Sequence, residues 1–301
     1  MAAIHQAKRA VSRARAAWDA VMRDEIGVSA SAFAYHTLFA LPPLLILTMT
    51  IAALLTRLTS LDVATALQRQ IQQHAPEATK PLLATIVDQA LARVGRGASA
   101  GIAVTALLAL WSGSNAVGSL LRGFNRAYGV AETRPFVQRV RLKLILTLTL
   151  TLLINLAFAA VVFGERIGHG LAERFRFGAT FSRIWNLLTW PAAILAMTLL
   201  LALLYYAGPN VELSFRWISP GSLLATALWL GAAALFGLYL DLANPGSAYG
   251  VLGSVVVLLL LLDVTGFIFL LGAKLNAELG KRFDPLVIED LAAAPQAKPG
   301  V

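Results

Sequence analysis

Residues 249–279 read YGVLGSVVVLLLLLDVTGFIFLLGAKLNAEL, and this stretch decides the fold. From Leu252 to Leu271 it runs twenty residues with one charge, Asp263. As a helix rising about 1.5 Å per residue, that length spans the roughly 30 Å hydrocarbon core of a bilayer. A carboxyl near the middle of such a span has two readings. It is either a functional ionisable site or a protonated or hydrogen-bonded group turned toward other helices.

The rest of the chain repeats the pattern. Of 301 residues, 58% are hydrophobic and only 14% charged, against about a quarter charged in soluble domains. The apolar residues fall in long blocks separated by basic connectors containing Pro and Gly. A backbone in lipid must satisfy its own hydrogen bonds, so the blocks are helices or a closed barrel. Continuous apolar runs do not alternate residue by residue as barrel strands do. The expected fold class is therefore all-α, a polytopic integral membrane protein of about six transmembrane helices plus interfacial amphipathic helices.

Taken in order, residues 1–27 form a basic amphipathic helix with Ile4, Ala7, Val11, Ala14, Trp18 and Val21 on one face. It suits the membrane interface or the protein's own loops. It holds no cleavable-signal apolar core, so the first span, 28–55, reads as an uncleaved anchor. Tyr35 and His36 lie in that span, and Pro42 and Pro43 interrupt it. Residues 56–99 read as two short amphipathic helices on the outer surface. The second span, 100–121, carries Trp111, Ser112, Ser114 and Asn115. A connector over 122–143 follows, with six Lys or Arg and one acid. The third span, 144–163, contains Asn155. The fourth, 184–207, ends in Tyr205 and Tyr206. Pro220 and Gly221 open the fifth, which runs to 240. Asp241, Asn244, Pro245 and Gly246 turn the chain into the sixth. The domain is thus 28–279, and the Ala- and Pro-rich residues 280–301 read as a disordered cytoplasmic tail.

The net charge of +9 belongs to this arrangement. Basic residues flank the spans, where they orient helices and meet anionic lipid, so nucleic acid is not an expected partner. With the N-terminus inside, sixteen of the 25 Lys and Arg residues fall on inner segments and nine on outer ones. That asymmetry puts both termini in the cytoplasm. Cysteine is absent, and His5, His36, His74 and His169 are too scattered for a metal site. No phosphate-binding loop or nucleophile elbow is present. No cofactor, metal or enzymatic activity is expected. What remains is a set of polar groups in or beside spans: Asn115, Asn125, Asn155, Asn210, Asp241, Asp263 and Asn276. Converging, they would line a cavity for an amphipathic solute; paired with one another, they would only pack helices.

Four blocks carry a family likeness: AFAYHTLFALPPLL (32–45), WSGSNAVGSLLRGFNRAY (111–128), YYAGPNVELSFRWISPGSLLATALW (205–229) and the run from Tyr239 to Leu279. In this order they resemble the YihY/BrkB family of bacterial inner-membrane proteins. The resemblance implies six helices with both termini cytoplasmic, and a role in handling or transporting an amphipathic or lipid component of the envelope. A non-transporting scaffold or assembly factor is the alternative. Membrane lipids are the implied partners, and the oligomeric state stays open. The family's old ribonuclease label calls for a histidine–aspartate metal cluster that this sequence lacks. Matching positions are Tyr35, Pro42, Trp111, Asn125, Arg126, Tyr128, Pro209, Asn210, Trp217, Pro220, Gly221, Trp229, Tyr239, Tyr249, Gly250, Gly272 and Asn276. Asp263 stands where the family commonly has an aromatic ring, which favours packing over a family-wide mechanism.

Overall fold

A computed structural model describes residues 26–58, 69, 85, 99–153, 178–214, 217–243 and 245–293. Of the amphipathic helices read over 1–27 and 56–99, only 26–27, 56–58, 69, 85 and 99 are described, and the latter half of the third span with Asn155 and residues 294–301 lie outside the described residues. Helices form α1 (Ile26–Leu58), α2 (Ser99–Tyr128), α3 (136–153), α4 (Gly178–Ala207), α5 (Pro220–Ala243), α6 (Pro245–Phe283) and α7 (Pro285–Ala293). Among the described residues, four segments are long and apolar enough to cross a membrane: Ile26–Thr48, Ala103–Tyr128, Pro220–Leu240 and Val255–Phe283. Pro191–Ala207 is a shorter apolar helix. The class is that of a polytopic helical membrane protein.

Successive helices alternate in direction. Gly118 and Gly113 of α2 face Lys143 and Thr147 of α3, and Gly221 and Trp229 of α5 face Gly272 and Thr265 of α6. In consequence, the start of α1, the ends of α2, α4 and α6 and the start of α5 share one end of the bundle. α1 packs most extensively on α2 and α6, and α6 also carries α5 and α7. The tightest packing gathers at the shared end. Phe124 is fully buried and meets Tyr205 edge-on, with ring centroids 5.5 Å apart. Leu201, Leu204, Leu270 and Ala273 close around them. In lipid there is no hydrophobic drive between helices, so close approach through small residues has to supply the attraction.

Several sequence expectations change. α2 continues to Tyr128 and helix resumes at residue 136, so most of the 122–143 connector is helical. Its charged residues read as a loop, but a helix leaving the hydrocarbon keeps its backbone ladder, and Gly129 (φ +72°) ends it as the left-handed cap. Pro42 and Pro43 do not interrupt α1, which stays helical through both. The tail expected to be disordered instead forms α7 over Pro285–Ala293. Asp284 caps α7 by accepting the Leu286 amide at 3.2 Å, Pro285 supplies a preset first turn, and Val287 is fully buried. Of the residues read as the turn between spans five and six, Asp241 belongs to α5 and Pro245 and Gly246 to α6, while Asn244 lies outside the described residues.

Candidate functional site

At the shared end, three local networks bind the connecting segments. Asn125, buried in the last turn of α2, is the hub of the first. Its Oδ1 accepts the Asn210 amide at 2.7 Å, and its Nδ2 donates to Glu132 Oε2 at 3.0 Å. Asn210 in turn donates to the Ala131 carbonyl and Thr133 Oγ1, each at 2.8 Å. Arg134 grips Glu132 at 2.8 Å and donates to the Gly208 carbonyl at 2.9 Å. The loops 129–135 and 208–211 are therefore joined through Asn125, and directly by the Asn210 and Arg134 side chains.

Burial by itself would raise the Glu132 pKa. Arg134, by hydrogen bond and charge, and the Asn125 amide outweigh it, and the carboxyl is held below its ordinary value. A group with a depressed folded value stabilises the fold above its unfolded value and loses that contribution as pH falls through the folded one. Acidification from neutral pH to below about 4 should thus loosen this latch. Thermal melts across that range should fall more steeply for the native protein than for Glu132→Gln.

The second network starts α5. Ser219 and Ser222 cap reciprocally: Ser219 Oγ accepts the Ser222 amide and Ser222 Oγ accepts the Ser219 amide, both at 3.1 Å. Pro220 occupies the first helical position, whose amide would be unpaired in any case. Asn276 reaches across from α6. Its Oδ1 accepts the Gly221 amide at 2.8 Å and its Nδ2 donates to Ser219 Oγ at 2.9 Å. In the third network, the Asp284 carboxylate accepts Ser214 Oγ at 2.8 Å and the Ser214 amide at 3.2 Å, and Asp290 accepts the Glu212 amide at 3.1 Å. α7 thereby fastens the loop between α4 and α5.

Between these networks lies a pocket of about 270 Å³. Tyr128, Tyr205, Ser214, Asn276 and Asp284 supply its polar wall, and Leu213, Leu279 and Phe283 its apolar one. Tyr205 is spoken for, donating to the Phe269 carbonyl at 2.7 Å. Tyr128 is only 2% exposed and lines the pocket, with no hydrogen-bond partner among the described residues. The volume falls just under the usual range for small-molecule sites, so it suits a headgroup or chain end rather than a whole lipid.

The polar groups expected to converge do so only in part. Asn125 meets Asn210, and Asn276 meets Gly221 beside Pro220. Pro209 is buried next to Asn210. Asp263 is elsewhere: Ser31 of α1 donates to it at 2.7 Å, the packing role. Asn115, half-buried on α2, joins neither. A common cavity for Asn115, Asn210 and Asp263 is therefore not formed. Trp111 (71% exposed), Trp217 (72%) and Tyr35 (56%) point out of the bundle, and Pro42 and Arg126 are also exposed. The side chains of Asp241, Tyr249 and Gly250 lie outside what is described. Ser214, Ser219, Glu132, Arg134 and Asp284 went unread. Ser219-Pro220-Gly221-Ser222 and Asp284-Pro285 were legible as helix starts, but which carboxylate holds which loop was not. Among the described residues, no three His, Asp or Glu side chains gather as metal ligands do.

Comparison with known proteins fits this architecture. The family described as Virulence factor BrkB matches residues 17–298, and the chain belongs to that family. Bacillus subtilis YfkH, a protein named as ribonuclease-like, is 34% identical over 259 residues, covering 85% of this chain and 91% of that one. A UPF0761 membrane protein of Aeromonas salmonicida is 25% identical over 282 residues, with 91% of each chain covered. A second, from Alkalilimnicola ehrlichii, is 28% identical, and the match takes in only 56% of its length. No solved structure matches.

Proposed function

We propose that this BrkB-family membrane protein is a lipid-handling protein rather than an enzyme. It sits in the bacterial inner membrane with both termini cytoplasmic and takes the headgroup or chain end of an amphipathic envelope component into the pocket below Tyr128. The observation that carries the reading is the pocket's placement and lining. It lies at the end of the bundle, where headgroups meet chains, and joins a phenol without a hydrogen-bond partner among the described residues to apolar side chains. Basic residues at the same end, among them Arg134 and Lys281, support a cytoplasmic orientation.

Filling the pocket tests the reading. Leu279→Trp should weaken binding of a labelled lipid to the purified protein about tenfold, or 1.4 kcal/mol, without lowering its melting temperature. Native and variant proteins reconstituted in vesicles then separate binding from movement of the label between leaflets. Neither binding nor movement in the native protein sinks the proposal.

A non-transporting scaffold is the second reading, and one observation favours it. Polar groups at mid-depth pair with one another, as in Ser31 with Asp263, Thr198 with Thr226 at 3.2 Å and Trp229 with Thr265 at 3.2 Å, instead of lining a passage. A stable protein partner found by crosslinking, with no lipid movement, would decide for it.

A further inference from the structure

Ten residues before its end, α2 presents Gly118 to α3, and two cations close over the gap. A Cβ placed on Gly118 would stand 3.7 Å from Arg122 Nη1 and 3.8 Å from Lys143 Nζ. Both charged ends thus lie within reach of one small anion. Ser119 Oγ accepts Arg122 Nη2 at 2.9 Å and draws the guanidinium back one turn, away from the helix end. Arginines near the ends of spans ordinarily extend toward water. Arg122 is turned the other way.

No carboxylate among the described residues balances the pair. Among the described residues neither Arg122 nor Lys143 makes an ion pair; the ion pairs formed there involve Arg134, Lys274 and Lys281. The charges that bear on them have the same sign: Arg126 on Arg122, and Arg122 and Arg139 on Lys143. His36 of α1 also faces Arg122. At 1.5 Å per residue, Gly118 lies about 15 Å along α2 from Tyr128, well into a membrane-crossing segment. A cation there is expensive and two side by side more so, unless an anion joins them. Basic recesses between helices are where phosphate-bearing headgroups are held.

We propose that Arg122 and Lys143 form an anion site over Gly118, at the seam of α2 and α3, that takes a phosphate group. The site is separate from the Tyr128 pocket and stands or falls independently of it. Asn125 and Asn276 play no part in it.

The test uses the full chain in nonionic micelles, titrated with fluorescent phosphatidylglycerol or with fluorescent diacylglycerol, which carries no phosphate. Arg122→Gln and Lys143→Gln should each weaken phosphatidylglycerol binding about five- to tenfold, the effect of losing one charge near a phosphate. Gly118→Ala keeps every charge but puts a methyl 3.0 Å from Lys143 Cδ, and it should also weaken binding. Arg141→Gln removes an exposed charge two residues from Lys143 and should change binding by less than about twofold. Arg122→Lys, which keeps the charge, should retain most of the binding and serves if Arg122→Gln does not fold. Displacement by millimolar inorganic phosphate would identify the free anion as a ligand. Binding that resists it would identify the lipid phosphate as the source. Equal losses from Arg141→Gln and Arg122→Gln, or equal affinity for the two lipids, would overturn the proposal.

Discussion

Gly221→Ala is expected to destabilise the protein by about 3 kcal/mol, at the upper end of the range for overpacking. A Cβ at position 221 would drive into the Gly272 carbonyl and would also meet Asn276 Oδ1 at 2.7 Å. The first obstacle is backbone and cannot swing aside. The second is the side chain that caps α5, so relief by moving Asn276 would give up its bonds to the Gly221 amide and to Ser219. Gly231→Ala is the matched control on the same helix. Nothing lies within 4 Å of a Cβ there, and the change should stabilise by up to about 1 kcal/mol through helix propensity. Thermal or denaturant unfolding in micelles should therefore shift in opposite directions for two Gly-to-Ala changes ten residues apart. Equal small shifts would mean that α5 and α6 do not approach as described.

Asn125→Ala should cost about 2 kcal/mol, because it strands a buried amide as well as removing a bond. The Asn210 N–H loses its acceptor, and Glu132 is left to Arg134 alone. Hydrogen exchange should rise together in 129–135 and 208–211, although only the first loop adjoins the mutated helix in sequence. Asn210→Ala keeps that N–H but removes the side-chain bonds to Ala131 and Thr133 that tie the same two loops. The double variant should consequently cost less than the two single changes combined. Additive costs would show that the loops are held separately.

Both predictions turn on contacts, and contacts were the part of this protein least legible in its sequence. The spans were readable because a helix in lipid satisfies its own backbone, so hydropathy and length suffice without knowledge of neighbours. Helix ends were less so. Arg122, Asn125 and Arg126 look like connector residues by polarity, yet α2 carries them as helix to Tyr128. The same bias turned residues 285–293 into a tail, although Val287 docks fully buried. Composition reports the solvent a segment prefers, whereas an interfacial helix is set by capping and by what it packs against.

Asp263 shows where the division falls. Hydropathy alone placed one carboxyl in mid-span and required that it be paired or functional. Only the tertiary structure set Ser31 opposite it, across 232 residues of chain. Likewise, sequence by itself determined a multi-pass helical bundle with a basic end, because lipid imposes that solution on each segment separately. The pocket beneath Tyr128, the Asn125 latch and the paired cations over Gly118 were decided by the packing of α2 against its neighbours. Which side chains meet depends on helix rotation and depth, and local periodicity encodes neither.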